Sequence, residues 1–276
     1  MANALDCIKS SNQLVNTIAF PGSVLFSSYD SQSFLPRTGN ITSAPFLVYI
    51  PVRPSLVLPS SSRSAVVIPA ILRVAHQNKA DFFIIHFHAN ACDIGDLTFC
   101  ANTESEYLNA HYLIVEYPGY GTADGSPSES EVHRVARIVY DFVVTQLAVP
   151  KNRIVIFGRS IGTGAASKLA GDLCSIGEPP VAVVLQSPFC SLGFAAKDLL
   201  CSCVSTIMME RFPNWKHICY EISSPMLLLH ADKDQVIDHS HSEYLHATRT
   251  ANGLPRYSLS CPIHRLLQYL TMQSYV

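Results

Sequence analysis

Six short apolar runs punctuate the chain: Phe46 to Val52, Phe82 to Phe87, Tyr112 to Tyr117, Ile154 to Phe157, Val181 to Leu185 and Met226 to Leu229. Several are continuous rather than alternating in polarity, the pattern of parallel strands covered on both faces. Between the third and fourth, Ser126-Pro127-Ser128-Glu129 offers a capping serine, a proline for the first helical position and a glutamate at the third, so a helix is expected to start there. Val132, Val135, Ala136, Val139, Phe142 and Val143 continue it at helical spacing as a buried stripe. This alternation of strand and helix predicts an α/β fold. Its sheet is central and mainly parallel, with right-handed crossovers, helices on both faces and ligands at the carboxyl ends of the strands. Leu58 to Ala70, rich in serine, proline and small aliphatic residues, reads as an insertion between early strands.

Of the 276 residues, 48% are hydrophobic and 14% charged, which supports a sizeable buried core and excludes a disordered chain. The formal net charge of −2 gives no electrostatic footprint for a polyanion, so no nucleic-acid partner is expected. Nine cysteines, irregularly spaced from Cys7 to Cys261, read as mostly reduced thiols. Residues 1–30 lack a basic cluster followed by a compact apolar run, so no secretory signal is evident and a cytoplasmic location is expected. The longest uncharged stretch, Pro179 to Ala196, is broken by Gln186, Ser187, Pro188 and Ser191 and is too polar for a membrane span.

The sharpest chemical signal is Ile154-Val155-Ile156-Phe157-Gly158-Arg159-Ser160-Ile161-Gly162-Thr163-Gly164, an apolar strand running into G-x-S-x-G and a small-residue helix, Ala165 to Leu173. In that context the serine sits on a tight strained turn with its hydroxyl exposed at the helix start, as an acyl-transfer nucleophile must. An oxyanion then needs backbone N–H donors from the residue after the nucleophile and from the loop after an earlier strand. Ile161 and a residue near Ala89 or Asn90, after Phe82 to Phe87, fit those places. His86 and His88 read as falling on one side of that strand, but no third ligand of matching spacing stands nearby, and no metal site is expected. Met226 to Leu229 opens into Asp232, Asp234 and Asp238, and His264 follows a further short run. The order serine, acid, histidine is that of α/β hydrolases, with Ser160 as nucleophile, a carboxylate from this loop as the orienting acid and His264 as general base.

Several phrases together resemble the α/β-hydrolase domain-containing family 17, serine hydrolases that remove palmitoyl groups from membrane proteins. They are His88-Ala89-Asn90-Ala91 with Asp93, Glu116-Tyr117-Pro118-Gly119-Tyr120-Gly121, Gly125-Ser126-Pro127-Ser128-Glu129, Gly158 to Gly164, Ser187-Pro188-Phe189 and His230 to Asp238. The resemblance runs from about Phe82 to the C-terminus. It implies an α/β-hydrolase domain over residues 46–276 behind an N-terminal segment, 1–45, and no cofactor. It also singles out Asp234, just before Val236 and Ile237, as the acid. The chain departs from the family at Ala89 and Ala231, where the family has glycines. It departs again at Cys261-Pro262-Ile263-His264-Arg265, which stands near the place of the family's Gly-His-Asn-Asp phrase. The family's vertebrate-type members carry a cysteine-rich, acylated N-terminus, whereas this chain has only Cys7 there, which leaves peripheral membrane contact open. The implied activity is hydrolysis of an ester or thioester, with an acylated protein or a small ester or thioester as substrate. A general carboxylesterase or lipase, or a non-catalytic binding protein of the same fold, fits the same residues.

Overall fold

The computed structural model describes residues 19–20, 27–29, 45–52, 67–75, 80–199 and 211–254. Among these, seven strands make one sheet: β1 (Phe46–Pro51), β2 (Val67–Arg73), β3 (Phe82–Phe87), β4 (Ala110–Val115), β5 (Ile154–Arg159), β6 (Ala182–Gln186) and β7 (Met226–Leu229). Their spatial order is β1-β2-β4-β3-β5-β6-β7. β2 runs antiparallel to both β1 and β4, and every later pairing is parallel. Among the described residues the helices of eight residues or more are α1 (Thr98–Leu108), α2 (Glu129–Thr145), α3 (Gly162–Ser175), α4 (Leu192–Leu199) and α5 (Ser240–Ala251). This is the α/β-hydrolase fold.

The continuous apolar runs are explained by cover on both sides of the sheet. In β3, Phe83, Ile85 and Phe87 join one cluster with Val132, Val139, Ala166 and Leu169 of α2 and α3, while Ile84 joins another with Ala101 and Leu108 of α1. Each fully buried Ile or Phe contributes roughly 1.5–3 kcal/mol by leaving water. Because the sheet is wrapped, no strand in its middle can spare a polar face.

Two sequence expectations are corrected. Val67 to Ala70 belongs to strand β2 and not to an insertion, and Ala70 and the next residue, Ile71, are fully buried. An antiparallel strand between two partners was hidden by Pro69 and by the serine-rich stretch before it. The helix expected from Ser126 instead begins at Glu129. Its cap is Ser128, whose hydroxyl accepts from the Glu131 N–H at 3.2 Å. Glu129 is left to accept from the Phe212 N–H at 2.8 Å, so it ties α2 to a distant segment rather than closing its own capping box.

Parallel register determines where function can sit. Phe87 is level with Gly158, Arg159 with Gln186, and Gln186 with Leu229. The residues that follow β3, β5, β6 and β7 therefore emerge at one edge of the sheet.

Candidate active site

At that edge the chain leaving β5 turns sharply through Ser160, whose φ is +51°, a left-handed conformation costly for a residue with a Cβ. The turn is held by the Ser160 N–H to the Gln186 carbonyl at 2.9 Å. The Ser160 carbonyl accepts from both the N–H and the hydroxyl of Thr163, at 2.9 and 2.7 Å. The flanking glycines have no room for side chains. A Cβ on Gly158 would meet the Gly162 carbonyl oxygen at 2.5 Å and Ala166 Cβ at 2.7 Å, and one on Gly162 would collide with the carbonyls of Phe87 and His88. The second collision records how close the start of α3 lies to the loop after β3. Neither the Ile161 N–H nor the Ala89 N–H meets an acceptor among the described residues.

α3 is almost wholly buried because its small residues admit close neighbours. Gly164 faces the ring of Phe212, and Ser167 donates to Asn214 Oδ1 at 3.0 Å while Asn214 Nδ2 donates to Thr163 Oγ1 at 3.2 Å. The turn that carries Ser160 is thereby backed by packing and hydrogen bonds from the segment Phe212 to Asn214.

Two strands away, Asp234 is half-buried and Asp232 and Asp238 are exposed. Its Oδ1 accepts the N–H groups of Val236 and Ile237 at 2.9 and 3.1 Å, and its Oδ2 accepts the Ser187 hydroxyl at 2.9 Å. Burial opposes its charge, yet these donors and nearby His230 outweigh it and hold the carboxyl below its ordinary value. Asp238 instead caps the entry to α5 through the Ser240 N–H at 2.9 Å. Sequence reading assigned Ser187 no role. It follows β6 with φ +49°, so the turn swings its hydroxyl onto Asp234, a position signalled only by its nearness to the strand end.

One described histidine approaches Asp234: His230, with Nε2 at 3.5 Å from Oδ2. Its ring is otherwise engaged, Nε2 donating to the Ile237 carbonyl at 2.8 Å and Nδ1 meeting the Ser242 hydroxyl at 2.7 Å. Burial lowers its pKa. Through these contacts it braces the acid loop. His264 lies outside the described residues.

His86 and His88 do not share the surroundings that strand alternation suggests, because β3 ends at Phe87. His86 packs edge-on against Phe157 and bonds the Tyr112 hydroxyl through Nδ1 at 2.9 Å. Burial, then the neighbouring charges of His88 and Arg159, push its pKa well below the usual range and keep it neutral. His88 is the opposite case. Burial works against its charge, but contacts with Cys92 and with the Glu116 carboxylate raise it to about 10. Its Nε2 reaches Glu116 Oε1 at 3.0 Å and its Nδ1 the Ala89 carbonyl at 2.8 Å, so an imidazolium donates to both.

Tyr112 also bonds Glu104 of α1, whose other carboxyl oxygen is buried with no partner among the described residues. Burial raises this carboxyl from 4.5 to about 7, against the pull of Tyr112 and Arg159. Between those values the folded chain keeps the proton that the unfolded chain releases, so this contribution to stability falls as pH rises through the window. Glu104→Gln should therefore gain stability over wild type between pH 5 and pH 8, on the order of 3 kcal/mol by the upper end. Urea unfolding of both proteins at the two pH values checks this, and parallel stability curves would refute it.

No family model matches the chain. It is 30% identical over 163 residues to alpha/beta hydrolase domain-containing protein 17B of Xenopus laevis, covering 59% of this chain and 53% of that protein. The alpha/beta hydrolase domain-containing protein aho-3 of Caenorhabditis elegans is 29% identical over 163 residues, 58% of this chain and 46% of that protein. Lysophosphatidylserine lipase ABHD12 of Xenopus tropicalis is 30% identical over 203 residues, 67% of this chain and 52% of that protein. The chain thus spans about half the length of the curated relatives it matches, and the resemblance to family 17 holds against them. Among solved structures, an alpha-beta hydrolase from Vibrio vulnificus superimposes with a TM-score of 0.60 at 19% identity over 76% of each chain. An arylesterase does so at 0.58 and 14%, over 95% of this chain and 88% of its own. At these identities the likeness speaks for the fold.

Proposed function

We propose that this protein is a serine hydrolase of ester or thioester bonds, with Ser160 as nucleophile, Asp234 as the orienting acid and His264 as general base. The observation that carries the reading is the Ser160 turn: left-handed backbone at a non-glycine residue, maintained between two glycines that admit no Cβ. Strain of that kind persists where the surrounding structure enforces it for function. In the proposed reaction His264 takes the hydroxyl proton as Ser160 Oγ attacks the acyl carbon. The tetrahedral oxyanion is met by the N–H groups of Ile161 and of Ala89 or Asn90, and the alcohol or thiol leaves with the proton. Water, deprotonated by the same histidine, then releases the acid. No cofactor enters.

Within that class we favour an acylated protein, with a palmitoyl thioester as the acyl link, because the site phrases resemble family 17 and the relatives include alpha/beta hydrolase domain-containing proteins 17B and 17C. The lipase among the relatives supports the broader ester-hydrolysing reading. A cytoplasmic site of action with peripheral membrane contact follows from the same proposal. A fluorophosphonate probe tests the serine directly: covalent labelling of the full chain is expected, and its absence in folded protein refutes the mechanism. Comparing kcat/KM for a palmitoyl-thioester peptide with that for p-nitrophenyl acetate tests the substrate class. A preference for the short ester would favour a general esterase.

A further inference from the structure

Four hydrogen bonds join residues ahead of β1 to the loop after β3 and its support. Asn90 Nδ2 donates to the Ala19 carbonyl at 2.8 Å, the Ser28 hydroxyl and N–H both reach the Asp93 carboxylate, and the Tyr29 hydroxyl donates to Glu116 Oε2 at 3.1 Å. Glycines make room for this approach. A Cβ on Gly95 would strike Ser28 and Tyr29, and one on Gly121 would lie 2.6 Å from the Tyr29 ring. Tyr29 itself is buried, and its hydroxyl also receives the Thr122 hydroxyl at 3.1 Å.

Glu116 is the hub of this arrangement and is fully buried. One oxygen takes Tyr29 and the Ile94 N–H at 3.2 Å, and the other takes His88 Nε2 and its neighbour's N–H, that of Tyr117, at 3.2 Å. His88 passes the constraint on, since its Nδ1 holds the Ala89 carbonyl. In a trans peptide the carbonyl and the next N–H point to opposite sides, so fixing the Ala89 oxygen fixes the direction of the Asn90 N–H. Tyr29, Glu116, His88 and the Ala89 to Asn90 peptide thus form one continuous series of contacts ending in the loop whose first residues lie against Gly162 at the start of α3.

We propose that Tyr29 and Glu116 are positioning residues for the oxyanion loop, acting through His88 on the Ala89 to Asn90 peptide, so that residues ahead of the first strand help to build the active site. The proposal rests on the hydrolase reading for its catalytic consequence. Neither residue touches substrate; they fix the aim of a donor whose partner forms only in the transition state. Loss of the aim lowers kcat and leaves KM nearly unchanged.

Tyr29→Phe removes one hydroxyl and keeps the ring that packs there, whereas Glu116→Gln leaves the His88 charge underpaired and is the harsher variant. In the full chain, Tyr29→Phe is expected to lower kcat for p-nitrophenyl acetate about 10-fold and Glu116→Gln about 100-fold, with KM within about twofold, the scale for a donor displaced by a fraction of an ångström. Amide hydrogen exchange gives the second readout. Residues 88–95 should exchange faster in Tyr29→Phe while α2 and α3 keep wild-type protection. Unchanged exchange in that loop overturns the proposal, whatever the enzyme does. Faster exchange with unchanged kcat overturns it as well, because the loop would be tethered without being aimed. A wild-type protein inert to the fluorophosphonate probe is a different failure: it refutes the hydrolase reading and the catalytic half of the proposal, and exchange still decides the clamp.

Discussion

Ser160→Ala is expected to lose at least ~10³-fold in ester turnover and all fluorophosphonate labelling, while unfolding at the same temperature as wild type. Both halves follow from the turn. The hydroxyl is the proposed nucleophile, and the hydrogen bonds that hold the turn come from the backbone of Ser160 and from Thr163, so deleting Oγ breaks none of them. Alanine keeps the Cβ and therefore the cost of φ +51°, which leaves stability where it was. Kinetics with p-nitrophenyl acetate and a thermal melt check the two parts separately. Retained turnover in a folded variant would remove Ser160 from the chemistry.

Much of the fold could be read before any coordinates, and the reasons are local. β3 and β7 match their apolar runs residue for residue because both ends are marked, by Asp81 and His88 in one case and by Pro225 and His230 in the other. β2 was missed because its cues conflict: a proline lies inside it, at Pro69, and polar small residues precede it. The nucleophile turn was legible because Gly158 is required by contacts only one and two turns along the chain, at Gly162 and Ala166. Ser187 and Glu116 were not, since a hydroxyl aimed at Asp234 from an adjacent strand and a carboxylate joining Tyr29 to His88 depend on register between segments 47 and 87 residues apart. Likewise His86 and His88 could not be separated on paper, because alternation holds only while the strand continues.

Asp234→Asn should lower kcat/KM by about 10³- to 10⁴-fold, against little change for Asp232→Asn or Asp238→Asn. The contrast comes from what each carboxylate touches. Asp238 spends its acceptor on the Ser240 N–H, a cap that asparagine can keep, and Asp232 is exposed. Asp234 is aimed by two backbone N–H groups and the Ser187 hydroxyl, and one oxygen must accept from the base proposed for it, His264. Asparagine can offer its carbonyl to those donors only by turning its amide toward the imidazole, which then meets a donor and takes the wrong tautomer. The pH profile sharpens the test. Because its donors hold Asp234 below the ordinary carboxylate value, it stays ionised throughout the neutral range, and activity depending on it is lost only as pH falls below that value. An acid limb near 6.5 in the wild-type kcat/KM profile therefore belongs to the histidine. His264→Ala should remove that limb together with turnover, and a folded His264→Ala protein with wild-type kinetics would leave Asp234 orienting some other base.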